Sequence, residues 1–135
     1  MFASPKWMTF AGYGLTGLCA LFLFMDAGMK IMRLPIVLES TAQLGWPTDS
    51  VVPLGIVLLI STLLYLFPRT GILGAVLLTG YLGGAVATHV RIGSPTFTHT
   101  LFGVYIGLII WAGLYLRDPV LRSVFPTRRS PLASN

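Results

Sequence analysis

Apolar positions dominate this chain in four long blocks, broken by short polar or turn-forming stretches. The first block is WMTFAGYGLTGLCALFLFM, 19 uncharged residues between Lys6 and Asp26. The second, SVVPLGIVLLISTLLYLFP, fills residues 50–68 between Asp49 and Arg69. The third and fourth are TGILGAVLLTGYLGGAVATHV over 70–90 and IGSPTFTHTLFGVYIGLIIWAGLYL over 92–116. None has a polar stripe of the kind that would turn one helix face to water, and none is preceded by a strand. A helix needs about 20 mainly apolar residues to cross roughly 30 Å of hydrocarbon. The pattern therefore predicts four membrane spans, at about residues 7–29, 51–67, 71–90 and 97–116.

The connections set the topology. PRTG joins the second and third blocks and RIGSP the third and fourth, short links that favour antiparallel neighbours. Pro68 closes one helix, and Pro53 falls in a first helical turn, where no internal hydrogen bond is lost. Only the first connection is long. RLPIVLESTAQLGWP, residues 33–47, places Glu39 and Gln43 four apart on one face, and Gly45 and Pro47 supply a stop signal. It predicts a short interfacial helix with Trp46 at headgroup depth, a solvated loop being the alternative. The expected fold is all-α: an integral membrane antiparallel four-helix bundle with a short interfacial helix between helices 1 and 2. Residues 1–126 form one membrane domain and 127–135 a basic tail.

Composition agrees. Of 135 residues, 55% are hydrophobic and 10% charged, against about 25% charged in soluble domains; the mean hydropathy is +0.82. That solvent assignment removes a competing motif. GYGLTG, residues 12–17, spells a dinucleotide-binding fingerprint with Glu39 further on, but no strand–turn–helix setting surrounds it. Gly12, Gly14 and Gly17 are better read as a helix surface open to close approach. Gly80 and Gly84, Gly83 and Ala87, and Gly103 and Gly107 repeat small residues at a spacing of four. In lipid, such pairs allow helices to pack by van der Waals contact, so these glycines are expected at helix interfaces.

With four spans, the two termini and the 68–71 turn share one side. Lys6, Arg69, Arg117, Arg122, Arg128 and Arg129 lie there, against Lys30, Arg33 and Arg91 opposite. The bias predicts cytoplasmic termini. A net charge of +5 suits anionic lipid headgroups, and two adjacent arginines do not make a nucleic-acid site. The first block is long for a signal-peptide core, no cleavage signal follows it, and Leu18 before Cys19 disfavours a lipid anchor. Cys19 is the single cysteine; it is expected to be a packing thiol, outside any intrachain disulfide or Cys-pair redox centre.

The remaining polar chemistry collects at the other end. Asp26 and Lys30 close the first span, His89 and Arg91 the third, and His99 opens the fourth. Ionisable groups at membrane depth are costly and usually pair or line a wet cavity. Asp26 precedes Lys30 by four, the better order for an intrahelical pair. An acid near a helix C-terminus also needs a cation, which Lys30, Arg91 or a protonated His89 could supply. Two readings follow: an ion-pair network with snorkelling side chains that pins helix ends, or a polar ligand or proton-handling pocket. Haem would need imidazoles from helices set well apart, and zinc would need ligands beyond Asp26. No metal site, resident cofactor or catalytic residue is predicted.

Three blocks carry a resemblance: FMDAGMKIMRLPIVLESTAQLGWP, LLYLFPRTGILGAVLLTGYLGGAVATHVRIGSPTFTHTLF and VYIGLIIWAGLYLRDPVLRSVFP. Together they resemble the DoxX-like family of small bacterial membrane proteins, over about residues 10–126. The most specific parts are PRT, LLTGYLGGAVATHVR and LYLRDP. The resemblance implies a four-helix protein of the bacterial cytoplasmic membrane. Relatives include a membrane subunit associated with thiosulfate–quinone oxidoreduction, members linked to thiol or oxidative-stress complexes, and distant assembly factors. The family's polar pattern maps onto Asp26, Lys30, His89, Arg91, His99, Arg117 and Asp118. One departure stands out. Members often read GIVELLC or GLVELVC where this chain has GIVLLIS, so Leu58 replaces a usual glutamate and Ser61 a common cysteine. Losing that carboxylate weakens a proton relay. The expected role is an accessory or assembly subunit without catalysis of its own, with a homo-oligomer or a membrane redox protein as partner. The alternative is a quinone-linked or small lipid-binding protein with a polar pocket at the outer end.

Overall fold

A computed structural model describes residues 5–128. Six α-helices follow in order: α1 (Lys6–Ile31), α2 (Pro35–Gln43), α3 (Val51–Leu66), α4 (Gly71–Ile92), α5 (Phe102–Arg117) and α6 (Pro119–Val124). A 3₁₀ turn, Thr48–Ser50, leads into α3, and a π-helical turn, Thr96–Thr100, leads into α5. With those turns included, four segments are long and apolar enough to cross a bilayer: Lys6–Ile31, Thr48–Leu66, Gly71–Ile92 and Thr96–Arg117. No strand occurs among the described residues. The protein is an all-α bundle of four membrane-spanning helices, with the short helix α2 between the first two. Of the basic tail, Arg128 is exposed coil, and Arg129 with the rest lies outside the described residues.

Local chemistry ends the helices where the sequence changes. Gly93 adopts the left-handed conformation at φ 73° after α4, and the Ser94 N–H bonds the His89 carbonyl at 3.0 Å. This glycine cap satisfies carbonyls that a helix end leaves open. A further small helix, α6, follows the fourth span; Asp118 caps it, its carboxylate accepting from the Val120 and Leu121 amides at 2.9 and 3.3 Å, and Pro119 fills the first turn.

The spans form a ring in which α1 and α4 each pack against both α3 and α5. Leu23, Leu58, Tyr65, Leu78, Ile110 and Leu114 are buried at its centre. Leu58, at the position where the resemblance expects glutamate, is completely buried in this apolar core. Cys19 is buried there too, its thiol donating to the Thr16 carbonyl at 3.4 Å. The ends of α3 and α5 near the termini are tied through Tyr65. Its hydroxyl donates to the Ile110 carbonyl at 2.6 Å, while Arg117 donates to the Tyr65 carbonyl at 2.5 Å and lies 4.9 Å from the Tyr65 ring centre. Arg122 reaches back to the Tyr115 and Leu116 carbonyls. Arginines at this end thus satisfy backbone carbonyls that helix C-termini leave without partners.

The tight helix approaches fall mostly at other glycines than those with the clearest small-residue spacing. A Cβ at Gly12 would lie 2.7 Å from the Arg117 nitrogen, and one at Gly113 2.9 Å from the Thr16 hydroxyl. At Gly74 it would run into the Tyr65 backbone. Of the expected packing glycines, Gly103 is close, 2.9 Å from a Val86 methyl, and Gly107 makes an ordinary contact at 3.9 Å. At Gly80, Gly83 and Gly84, as at Gly14 and Gly17, a Cβ would meet nothing within 4 Å, so these glycines carry no packing contact within the chain. A spacing of four puts small residues on one helix face; in a helix apolar all round, it does not say whether that face meets a neighbour.

Candidate functional site

At the α2 end the helices line a half-open cavity of about 470 Å3. The α1 wall follows from helical geometry. Phe22, Asp26 and Lys30 are successive residues at spacing four and so share a face. Lys30 donates to Asp26 at 2.5 Å, a charge-assisted bond. The Asp26 side chain is 32% exposed and that of Lys30 18%, so both charges are largely withdrawn from solvent and offset each other. Lys30 in the last turn of α1 also suits the negative helix end.

The α4 wall has two parts. Gly80 and Gly84 line the cavity without side chains, and Thr88, one turn on, adds a hydroxyl that bonds the Gly84 carbonyl at 2.8 Å. His89 follows, with Nδ1 2.9 Å from the Ser94 hydroxyl, which the glycine-capped turn brings back over the ring. Across from it the π-helical turn carries His99, whose Nδ1 is 2.8 Å from the Thr98 hydroxyl. That turn is held by Leu101 N to Thr96 O at 2.9 Å, a wide winding found often at functional sites. The two imidazoles meet edge to face, centres 6.1 Å apart and planes at 64°. With each Nδ1 engaged by a hydroxyl, Nε2 is the second hydrogen-bonding atom each ring can offer.

The roof is α2 and the turn after it. Thr41, Leu44 and Trp46 line the cavity from above. Trp46 Nε1 donates to the Thr88 hydroxyl at 3.3 Å, and Arg91 donates to the Leu44 carbonyl at 3.1 Å. Gly45, at φ 83°, makes this closure: a Cβ there would press on the Arg91 guanidinium, 2.6 Å away. Leu54, Phe102 and Tyr81, the last with its phenol, complete the lining.

Four of the polar residues singled out from sequence therefore line one cavity: Asp26, Lys30, His89 and His99. Arg91 does not line it and instead straps the roof to α4. Arg117 and Asp118 lie at the opposite end, engaged with Tyr65 and α6. Gly80, Gly84 and Gly103 also face the cavity, while Gly83 and Gly107 do not. Sequence reasoning missed Thr41, Tyr81 and Thr100 and the seat of Trp46. A hydroxyl one turn beyond two glycines was a usable sign for Thr88; the Trp46 contact spans 42 residues and left none. Among the described residues, no three His, Cys, Asp or Glu side chains gather as a metal-ligand set. The arrangement can hold an apolar body against its lower walls and hydrogen-bond a head at its rim.

No curated protein and no solved structure matches the chain. A family model described as the DoxX-like family matches residues 14–113, a stretch that holds all four spans in whole or part and the entire cavity lining. The chain belongs to the DoxX-like family.

Proposed function

We propose that this DoxX-like membrane protein is a non-catalytic subunit that holds a small amphiphilic molecule, a quinone or a lipid, at the α2 end of its bundle. The observation that carries this reading is the convergence of Asp26, Lys30, His89 and His99, from three separate segments, on one partly apolar cavity. Its volume, about 470 Å3, lies in the range of small-molecule sites. Polar groups at membrane depth are costly, and an ion pair alone does not account for two imidazoles and three threonines facing the same space.

A role in assembling a larger complex draws on a different surface: Gly83 and Ala87 lie one turn apart and exposed on α4, where another membrane helix could approach closely. In both readings the excess of basic residues near the termini supports a cytoplasmic position for that end of the bundle, with the cavity at the opposite end.

Native mass spectrometry of gently solubilised protein, with an absorbance spectrum of the same sample, tests the ligand reading. A stoichiometric small molecule that is lost in Asp26→Asn and His89→Ala, with folding retained, supports it. Full occupancy in both variants would reject this site.

A further inference from the structure

The charges and open spaces of the cavity restrict what it accepts. We infer that it selects an amphiphile with an uncharged, hydrogen-bonding head, and that Gly80 and Gly84 are the specificity-determining wall for its apolar body. This inference rests on the ligand-binding reading above and narrows it.

Charge restricts the head. Asp26 and Lys30 are the two oppositely charged side chains of the lining, and they are bonded to each other at 2.5 Å. The pair carries no net charge, so an anionic or a cationic head would bring an ion into the cavity with no uncommitted counter-ion in its lining. An unneutralised charge in a site partly withdrawn from water is unfavourable. Arg91, two residues from His89, is turned to the Leu44 carbonyl and does not line the cavity. What the rim offers freely is hydrogen bonding through the second nitrogens of His89 and His99, the Thr88 hydroxyl being engaged by the Gly84 carbonyl and Trp46. A neutral head that both donates and accepts fits these groups without disturbing the ion pair.

Shape restricts the rest. The cavity volume, about 470 Å3, suits a molecule of drug size. Gly80 and Gly84 are one helical turn apart, both line the cavity, and a Cβ on either would meet no protein atom within 4 Å. The space beside them is therefore room for ligand and serves no helix contact. Glycine weakens a helix relative to any ordinary residue, and at these two positions no close packing within the chain offsets that cost. Their missing side chains keep the wall open.

Photolabelling in lipid nanodiscs tests both parts. Three probes share one diazirine-bearing alkyl tail and differ in the head: an alkylphenol, a quaternary ammonium and a phosphate monoester. After normalisation to probe content of the bilayer, the phenol is expected to label the cavity walls of α1 and α4 at least about tenfold more than either charged probe. Gly84→Leu, whose side chain enters the open space, should reduce that labelling by about tenfold while leaving the melting temperature unchanged or raised. Equal or stronger cavity labelling by a charged probe would overturn the neutral-head assignment and leave the cavity as a binding site. Undiminished phenol labelling in a folded Gly84→Leu protein would overturn the wall assignment. Cavity labelling by none of the three would reject the ligand-binding reading itself.

Discussion

Lys30 lies one helical turn beyond Asp26 and donates to its carboxylate at 2.5 Å, in the wall of a cavity that also holds His89 and His99. The pair anchors the polar rim at no net charge. Removing one member leaves the other unpaired in a partly buried site, whereas replacing both with neutral groups does not. Asp26→Asn is expected to lower unfolding stability by about 1–2 kcal/mol, the value being held down by residual solvent exposure. Combining it with Lys30→Met should recover more than half of that loss. Thermal unfolding of the double-mutant cycle in one detergent checks this, and additive losses would show that the two side chains do not act as a pair.

Glycines of one helix are predicted to behave oppositely. A Cβ at Gly74 runs into the Tyr65 backbone where α3 and α4 touch, so Gly74→Ala should destabilise the bundle by roughly 1–3 kcal/mol. Gly80→Ala adds a methyl to open space and gains helix propensity, so it should be neutral or stabilising by about 0.5–1 kcal/mol. Melting temperatures of the two variants, measured side by side, decide the matter; equal losses would mean that α4 is rotated from the orientation described.

Tyr65 joins the ends of α3 and α5 near the termini, donating to Ile110 through its hydroxyl and receiving Arg117 at its carbonyl. Tyr65→Phe keeps the ring under the guanidinium and deletes the hydroxyl, leaving a buried carbonyl short of a donor. The expected cost is about 1–2 kcal/mol, read by chemical or thermal unfolding. Binding at the far cavity should be unchanged, so a binding defect would show long-range coupling that the packing does not predict.

The roof over the cavity hangs on two long-range bonds, Trp46 to Thr88 and Arg91 to Leu44. Arg91→Ala should loosen the segment around residues 40–46 without unfolding the spans. Amide hydrogen exchange is expected to rise there by at least about tenfold, with protection in α3 and α5 retained. Unchanged exchange in the roof would mean that the Arg91 contact carries no weight.

Much of the architecture could be read directly. Four apolar blocks marked the spans, because a bilayer demands their length, and Gly45 with Pro47 marked the end of α2. The gathering of Asp26, Lys30, His89 and His99 at one end followed from antiparallel order alone. Other features had no local sign. The helices are apolar around most of their circumference, so no polar stripe showed which way Gly80, Gly83 and Gly84 turn. Arg91 satisfies a backbone carbonyl 47 residues away, a partner that charge pairing does not reveal. The π-helical turn that sets His99 beside His89 depends on how the chain leaves Pro95, and the cap of α6 on Asp118 was hidden behind a motif read only for its resemblance.

The most direct measurement is a native mass spectrum of the wild-type protein beside Gly84→Leu, both released from the same lipid. The account predicts one small neutral amphiphile bound per wild-type chain and its loss from the folded variant. Identical adducts on both proteins, or a wild-type chain that carries no such molecule after exposure to the native lipid extract, would contradict it.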